Sequence, residues 1–239
     1  MNLVAPPGYQ GLAVLDKLKH RGKGVGDNAR RFAAKLHTIY LTVAEFIAAS
    51  RHYPIIFARD TQRMLHPFVV VGPEPGQNFC VDEQGDWLPA RYCPAYVRRY
   101  PFATIRATDR GEAKTVICID EAGLADTPPH LFDARGEPTA YWRELQRLIE
   151  EFDTAQAHTQ IFCARLDSLG LIESFDADIN PTQGRHVRIN GMFRVKEDAL
   201  QALAPDHLAA LVRDGSLSRI YAHLMSLDNF HQLLKKPAV

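Results

Sequence analysis

Residues 138–170, "PTAYWRELQRLIEEFDTAQAHTQIFCARLDSLG", decide how this chain folds. Tyr141, Leu145, Leu148, Phe152, Ala155, Thr159, Phe162, Leu166 and Leu169 follow one another in unbroken steps of four and three. That spacing puts all nine on one face of a helix of about thirty residues, ~45 Å long at 1.5 Å per residue. Pro138 suits the first helical turn, and Gly170 supplies the C′ residue that stops the helix. The stripe reads as the core face of a helix laid over a sheet. Its heptad-like spacing also permits a helix pair within the chain or between subunits, so the 138–169 helix is the surface open to a homo-oligomer. Trp142 and Ile149 widen the stripe beyond a strict seam, which favours a globular core.

Upstream of that helix the signals are those of strands. "HTIYLT" (37–42) is rich in β-formers, and Thr42 with Glu45 then spells a capping box for a short helix ending before Pro54. "PIIFARD" and "HPFVVVG" (66–72) read as strands. "NFCVDEQGDWL" (78–88) reads as a hairpin around Glu83-Gln84-Gly85. "AYVRRY" and "FATIR" are strand-like pieces interrupted by Pro101, which has no N–H for a ladder. "TDRGEAK" turns, and "TVICID" (115–120) is a further strand. The short links favour antiparallel pairing. Downstream, "FDADINPTQG" is a loop, and "RHVRINGMFRV" reads as a hairpin turning at Asn190-Gly191. Helical pieces follow over Lys196–Leu203, Pro205–Arg213 and Ser216 to about Lys235. The expected fold is α+β: a curved antiparallel sheet from residues 37–120 plus the late hairpin, with the long helix and the C-terminal helices packed on it. Residues 1–30, with glycines at 22, 24 and 26, form a flexible basic segment. Residues 31–239 form the folded domain, β-rich over 37–120 and helix-rich over 137–235.

The 239 residues are 46% hydrophobic and 23% charged, an ordinary globular balance with a formal net charge of zero. Global charge therefore points to neither nucleic acid nor an acidic substrate. Residues 1–37 are locally basic, with seven Lys or Arg against Asp16 and Asp27. No aromatic is interleaved with those lysines, so the basic stretch reads as a solvated face rather than a nucleic-acid site. The four cysteines, at 80, 93, 118 and 163, include no C-x-x-C pair and are too sparse for a disulfide scaffold. They fit buried free thiols in a reducing compartment. No apolar run reaches the ~20 residues of a membrane helix, and no secretory signal opens the chain. The expected location is the cytoplasm.

The chemistry-bearing motifs are mostly negatives. "GKGVGD" carries Asp27 where a dinucleotide fingerprint needs its third glycine, and no strand precedes it. There is no phosphate-binding loop, nucleophile elbow or H-E-x-x-H, and no cofactor or metal is expected from sequence. His207, His223 and His231 are sixteen and eight residues apart, which makes no metal pair. One constellation remains, around "RYCPAYVRRYPF" (91–102) and the hairpin before it: Asp82, Asp86, Trp87, Tyr92, Tyr96, Arg98, Arg99 and Tyr100. No Asp or Glu lies between Arg91 and Thr108. Arg presents a planar fork for carboxylates and phosphates, and Tyr and Trp present flat apolar area with a polar tip. Such a mixture suits binding of a protein or peptide partner. Asp82, Asp86, Tyr96 and Arg98 are also the residues an enzyme acting on a small molecule or peptide side chain would use. On a strand Arg98 and Arg99 point to opposite faces, so the same residues equally suit a demanding β-corner with a structural ion pair.

The series "YPIIFARD", "FVVVG", "NFCVDEQGDWLPARYCPAYVRRYPF", "ICIDEAG", "INGMFRVKEDALQAL" and "GSLSRIYAHLMSLDNFHQLL" resembles the SapC family of bacterial proteins, from about Thr38 to Leu234. The resemblance is carried most specifically by "DWLPARYCPAYVRRYPF" and "GSLSRIYAHLMSL". It implies an association with surface-layer loci, and, in many relatives, company with halogenase-like proteins, cupin-like oxygenases and TonB-dependent receptors. It implies no catalytic residues. The leading expectation is a non-catalytic accessory protein.

Overall fold

The computed structural model describes residues 4–109, 112–179 and 187–234. In chain order its strands are β1 (Ala13–Val14), β2 (Gly24–Val25), β3 (Thr38–Tyr40), β4 (Ile55–Arg59), β5 (Leu65–Val70), β6 (Phe102–Asp109), β7 (Glu112–Ile119), β8 (Leu124–Ala125), β9 (Ile172–Ile179) and β10 (Val187–Val195). Its helices are α1 (Phe46–Ala49), α2 (Ala95–Arg98), α3 (Ala140–Ser168), α4 (Glu197–Gln201), α5 (Pro205–Arg213) and α6 (Ser216–Ser226). The fold is α+β with antiparallel strands throughout. None of the described helices is long and apolar enough to cross a membrane.

The chain divides into two compact units. The first holds Met1–Lys35, Val81–Trp87 and Ala95–Thr154, and the second holds Leu36–Cys80, Leu88–Pro94 and Ala155–Val239. The strands of residues 37–120 accordingly serve two sheets and not one. In the first unit the sheet order is β1-β7-β6, with β2-β8 as a separate two-stranded ladder. β6 and β7 pair from Phe102↔Ile119 to Asp109↔Glu112. The tip of the turn read in "TDRGEAK", residues 110–111, lies outside the described residues. Phe102 and Ile119 pack with Leu131, Phe132, Trp142 and Ile149, and Tyr141 and Leu145 close the cluster. Trp142 and Ile149, the residues that widened the stripe of α3, are thus core residues of this unit. Within "HRGKGVGDN" Gly24 allows a close approach of backbone, and Gly22 takes a left-handed φ of 70° with open space around it. A Cβ on Gly24 would run into the carbonyl oxygens of Thr127 and Pro129, and Gly26 donates its N–H to the Gly123 carbonyl at 2.9 Å.

In the second unit β3-β5-β4-β10-β9 form a five-stranded sheet. The second half of α3 contributes Phe162 to this core, edge-on to Phe46 at 5.8 Å, and Phe46 in turn meets Phe57. A second cluster joins Ile56, Val70 and Met192 to Phe68, Phe175, Leu227 and Phe230. Gly170 takes the left-handed conformation (φ 66°) that ends α3 as read. The Asn190-Gly191 hairpin is corrected: both residues lie inside β10, opposite Asp176 alone, where the register shifts between Ile189 and Met192. Gly191 (φ 75°) makes a β-bulge, a second use of the same backbone freedom that suits a hairpin turn. β10 pairs instead with β9, so the first half of "FDADINPTQG" is strand, and residues 180–184 lie outside the described residues. The last helix ends at Ser226 and continues as a 3-10 helix over Leu227–Leu234; its expected end at Lys235 lies outside the described residues.

One turn is built three times. Asp60, Asp82 and Asp133 each accept, through Oδ1, the backbone N–H two residues on (2.9, 3.0 and 2.8 Å) and the N–H four residues on (2.8, 2.8 and 2.9 Å). The fourth residue of each turn is left-handed: Arg63 (φ 64°), Gly85 (φ 93°) and Gly136 (φ 79°). An Asp followed three residues on by a left-handed residue is thus a local device in which the carboxylate satisfies donors that the reversing backbone leaves free.

Candidate functional site

The hairpin read at 78–88 survives as the Asp82 turn closed by an isolated bridge between Val81 and Trp87. Asp82, Asp86 and Trp87 are half-buried there, and the Asp82 carboxylate is engaged in holding its own turn. From Leu88 the chain enters the second unit. Tyr92 donates its hydroxyl to Glu45 Oε1 at 2.9 Å, while Glu45 Oε2 accepts the Thr42 backbone N–H at 3.0 Å and the Thr42 hydroxyl at 2.8 Å. The capping box read from sequence therefore has a third member. Tyr53 donates to the Tyr92 carbonyl at 2.5 Å, and Arg91 donates to the His52 carbonyl at 3.2 Å. Residues 88–94 are a strap fastened to the second unit by side chains.

Beyond Pro94 the chain returns to the first unit, and "AYVRRY" is helical where a strand was expected. Pro94 and Pro101 bracket one turn, α2, because each fixes φ near the helical value and Pro101 cannot continue the ladder. On a helix Arg98 and Arg99 stand about 100° apart and need no bulge to differ in environment. Arg98 is exposed, whereas Arg99 is only 6% exposed. Tyr96 and Tyr100 are buried beside it. They close on Tyr9 and Phe32. Phe32 stacks on Tyr100 at 4.0 Å and 10°, and Tyr9 meets Phe32 and Tyr100 edge-on at 5.2 and 5.0 Å. Each hydroxyl is spent: Tyr96 donates to the Pro7 carbonyl at 2.7 Å, Tyr9 to the Phe102 carbonyl at 2.7 Å, and Tyr100 to Asp120 Oδ2 at 3.2 Å. Burial pushes the Tyr9 hydroxyl up to about 12 and those of Tyr96 and Tyr100 higher still, with the Asp120 charge adding to the rise at Tyr100. All three are fixed proton donors at neutral pH.

The Arg99 guanidinium lies 4.1 Å over the Phe152 ring and 5.1 Å from the Tyr96 ring. It also hydrogen-bonds the Tyr9 hydroxyl, which opposes part of the rise caused by burial. Two carboxyls flank the group. Asp120 accepts Gln10 N at 2.7 Å and Ala122 N at 3.2 Å besides Tyr100. Asp153, half-buried, accepts the Thr104 hydroxyl at 2.7 Å, and burial raises its pKa against the pull of Arg99 and Arg106. Of the sequence-read candidates, the structure therefore brings Tyr96, Arg99 and Tyr100 together in the first unit, leaves Arg98 outward, and places Tyr92 in the second unit. Tyr9, Phe32, Asp120 and Phe152 complete the cluster. They lie some twenty to ninety residues from it in sequence, and no local pattern signals them.

Elsewhere in the second unit, a cleft of about 580 Å³ is lined by Asp60, Met64, His66, Gln160, Cys163 and Asp167 among others. Two of its carboxylates are paired: His66 Nε2 lies 3.0 Å from Asp60, and Arg59 forks onto Asp167 at 2.6 and 3.0 Å. Burial pushes the Cys163 thiol up to about 12 and the Cys80 thiol up to about 11, the opposite of nucleophile activation. Among the described residues no three His, Cys, Asp or Glu side chains are placed to hold a metal ion.

No curated protein and no solved structure matches the chain. A comparison with protein families matches residues 15–233 to SapC. With nearly its whole length inside that match, the chain belongs to the SapC family.

Proposed function

We propose that this chain is a non-catalytic accessory protein that engages a protein or peptide partner through the first unit's part of the 82–100 segment. One observation supports the reading: a single short turn of helix buries Tyr96, Arg99 and Tyr100, with both tyrosine hydroxyls engaged, while presenting Arg98 outward. Asp82, Asp86 and Trp87, half-exposed on a tight turn of the same unit, supply the aromatic and charged contacts that partner recognition favours. A surface held by buried anchors loses little conformational entropy on binding. The enzyme alternative draws no support from this geometry. The Tyr96 hydroxyl is committed to Pro7 and the Asp82 carboxylate to its turn. The family resemblance directs the search for a partner to surface-layer, uptake and halogenase- or oxygenase-like systems, and the compartment we propose is the cytoplasm.

The test is quantitative capture from the native host with tagged wild type, Arg98→Ala and Trp87→Ala, each checked by circular dichroism. Loss of the same captured protein from both variants, with the fold intact, is the expected result. Undiminished capture by both folded variants would remove the segment from the interface.

A further inference from the structure

Arg99 is a buried charge with no ion pair among the described residues. Buried guanidinium groups are normally matched by a carboxylate, because removing the charge from water costs several kcal/mol. Arg99 is 6% exposed, yet among the described residues no carboxylate lies within ion-pair distance of it, and its Nε–H has no hydrogen-bond partner. What it does have is apolar and aromatic: the Phe152 face at 4.1 Å, the Tyr96 ring at 5.1 Å, and the Tyr9 hydroxyl. The nearby acids are otherwise occupied. Asp120 is shared among Tyr100, Gln10 and Ala122, and Asp153 is held by Thr104. Arg106, exposed on β6, adds a further positive charge felt by Asp153.

The ring contacts hold the guanidinium plane, and with it the direction of the free Nε–H. An Nε–H with an adjacent terminal N–H is one edge of the fork that receives a carboxylate in two parallel bonds. We propose that this edge of Arg99 seats a carboxylate carried by a ligand: a small free acid, or the acidic side chain or C-terminus of a bound peptide. The proposal rests on the binding reading above and specifies its chemistry. A carboxylate there would supply the missing counter-charge and satisfy the orphaned donor in one step. The tyrosine hydroxyls around it stay neutral, because burial raises their pKa values, and so do not compete with the ligand as anions.

The test uses the arginine Nε–H resonances of the 15N-labelled full-length protein. A buried Nε–H exchanges slowly, and the signal of Arg99 is assigned by its loss in Arg99→Lys. Wild type is titrated at constant ionic strength with acetate, with a short peptide ending in glutamate, and with the same peptide amidated and carrying glutamine. A saturable shift of the Arg99 signal with acetate supports the proposal and identifies a small acid as sufficient. A shift with the acidic peptide alone supports it and identifies a peptide source. Arg99→Lys, which keeps the charge and loses the fork, is expected to bind about tenfold more weakly. If Arg99→Lys does not fold, selective labelling and chemical-shift assignment of the wild type identify the signal instead. A signal unmoved by every probe, or moved equally by the neutral peptide, overturns the proposal. Partner capture that depends on Arg98 and Trp87 while the Arg99 signal stays fixed would overturn this inference and leave the binding reading standing.

Discussion

His223 makes a prediction that can be worked through numerically. Its imidazole is fully buried on α6 and stands where the β4–β10 ladder lacks a backbone pair. Phe193 pairs with Phe57, and at the next position along the strands the ring bridges the gap: Nδ1 lies 2.9 Å from the Ile55 carbonyl, and Nε2 lies 3.1 Å from the Val195 N–H. These partners dictate the tautomer, with the proton on Nδ1 and Nε2 as acceptor. Ser226 accepts the Ile55 N–H at 2.9 Å, so α6 satisfies both backbone groups of that residue. Protonating Nε2 would turn an acceptor into a donor against the Val195 N–H and bury a charge. Burial, with a smaller push from Arg194, therefore drives the His223 pKa down to about 3.

Because the folded pKa is depressed, the stabilisation is complete above the unfolded value of about 6.5 and is lost as pH falls toward 3. In that window the unfolded chain binds a proton that the folded chain refuses. The loss is about 1.4 kcal/mol per pH unit, or about 3 kcal/mol at pH 4.5, against a total stability on the order of 5–15 kcal/mol. The comparison is wild type against His223→Gln, which removes the titration and keeps a polar side chain. Urea unfolding is followed by circular dichroism from pH 7 to 4.5. Trp87 and Trp142 both belong to the first unit, so their fluorescence separately reports whether that unit responds. His223→Gln should be less stable than wild type at pH 7, and the gap should shrink by about 3 kcal/mol by pH 4.5. A gap independent of pH would mean that His223 is not held neutral in the folded chain, and the account of the ladder would be wrong.

Four further outcomes are expected. Arg63 occupies the left-handed position that glycine holds in the two sister turns, so Arg63→Gly should raise stability by about 0.5–1 kcal/mol in a urea titration. Gly136→Ala should lower it by about 1 kcal/mol from backbone strain alone, since the nearest atom to its new Cβ is 3.8 Å away. Gly85→Ala should cost more, because its Cβ would come within 2.6 Å of Arg31 Cγ. Reaction with an aromatic disulfide reagent should modify Cys93 first in the folded protein, the other three thiols being buried, and all four only in denaturant. Rapid native labelling of Cys163 would contradict its raised pKa and burial.

What was legible in the sequence was what is periodic or local. The stripe of α3 ran nearly to its observed ends, because four-three spacing has one geometric meaning over thirty residues. The capping box at Thr42 and the strands at 55–59 and 65–70 were readable for the same reason. The failures share a physical cause. Asn190-Gly191 specifies a left-handed backbone and nothing more; whether that freedom closes a hairpin or bulges a strand is decided by β9, which lies earlier in the chain. "AYVRRY" has strand-like composition, but two prolines seven residues apart leave room for a single helical turn, and burial against Tyr9 and Phe32 overrides propensity.

The same logic bears on the site. Aromatic and arginine residues in a short signature suggest a surface when read locally. In the fold, Tyr92 anchors to Glu45, and Tyr96 and Tyr100 anchor to residues near the N-terminus and to Asp120. A segment needs this many long-range anchors only if its position must be fixed. A corner whose sole task was to reverse the chain would gain little from an arginine buried with no carboxylate in ion-pair distance among the described residues, since an apolar residue of similar size would fill the space at lower cost. Among the described residues Arg99 has ring contacts and the Tyr9 hydroxyl but no ion pair, and its Nε–H has no acceptor. The proposed search for a ligand of this segment therefore begins among carboxylates, the groups that would supply an acceptor to that N–H.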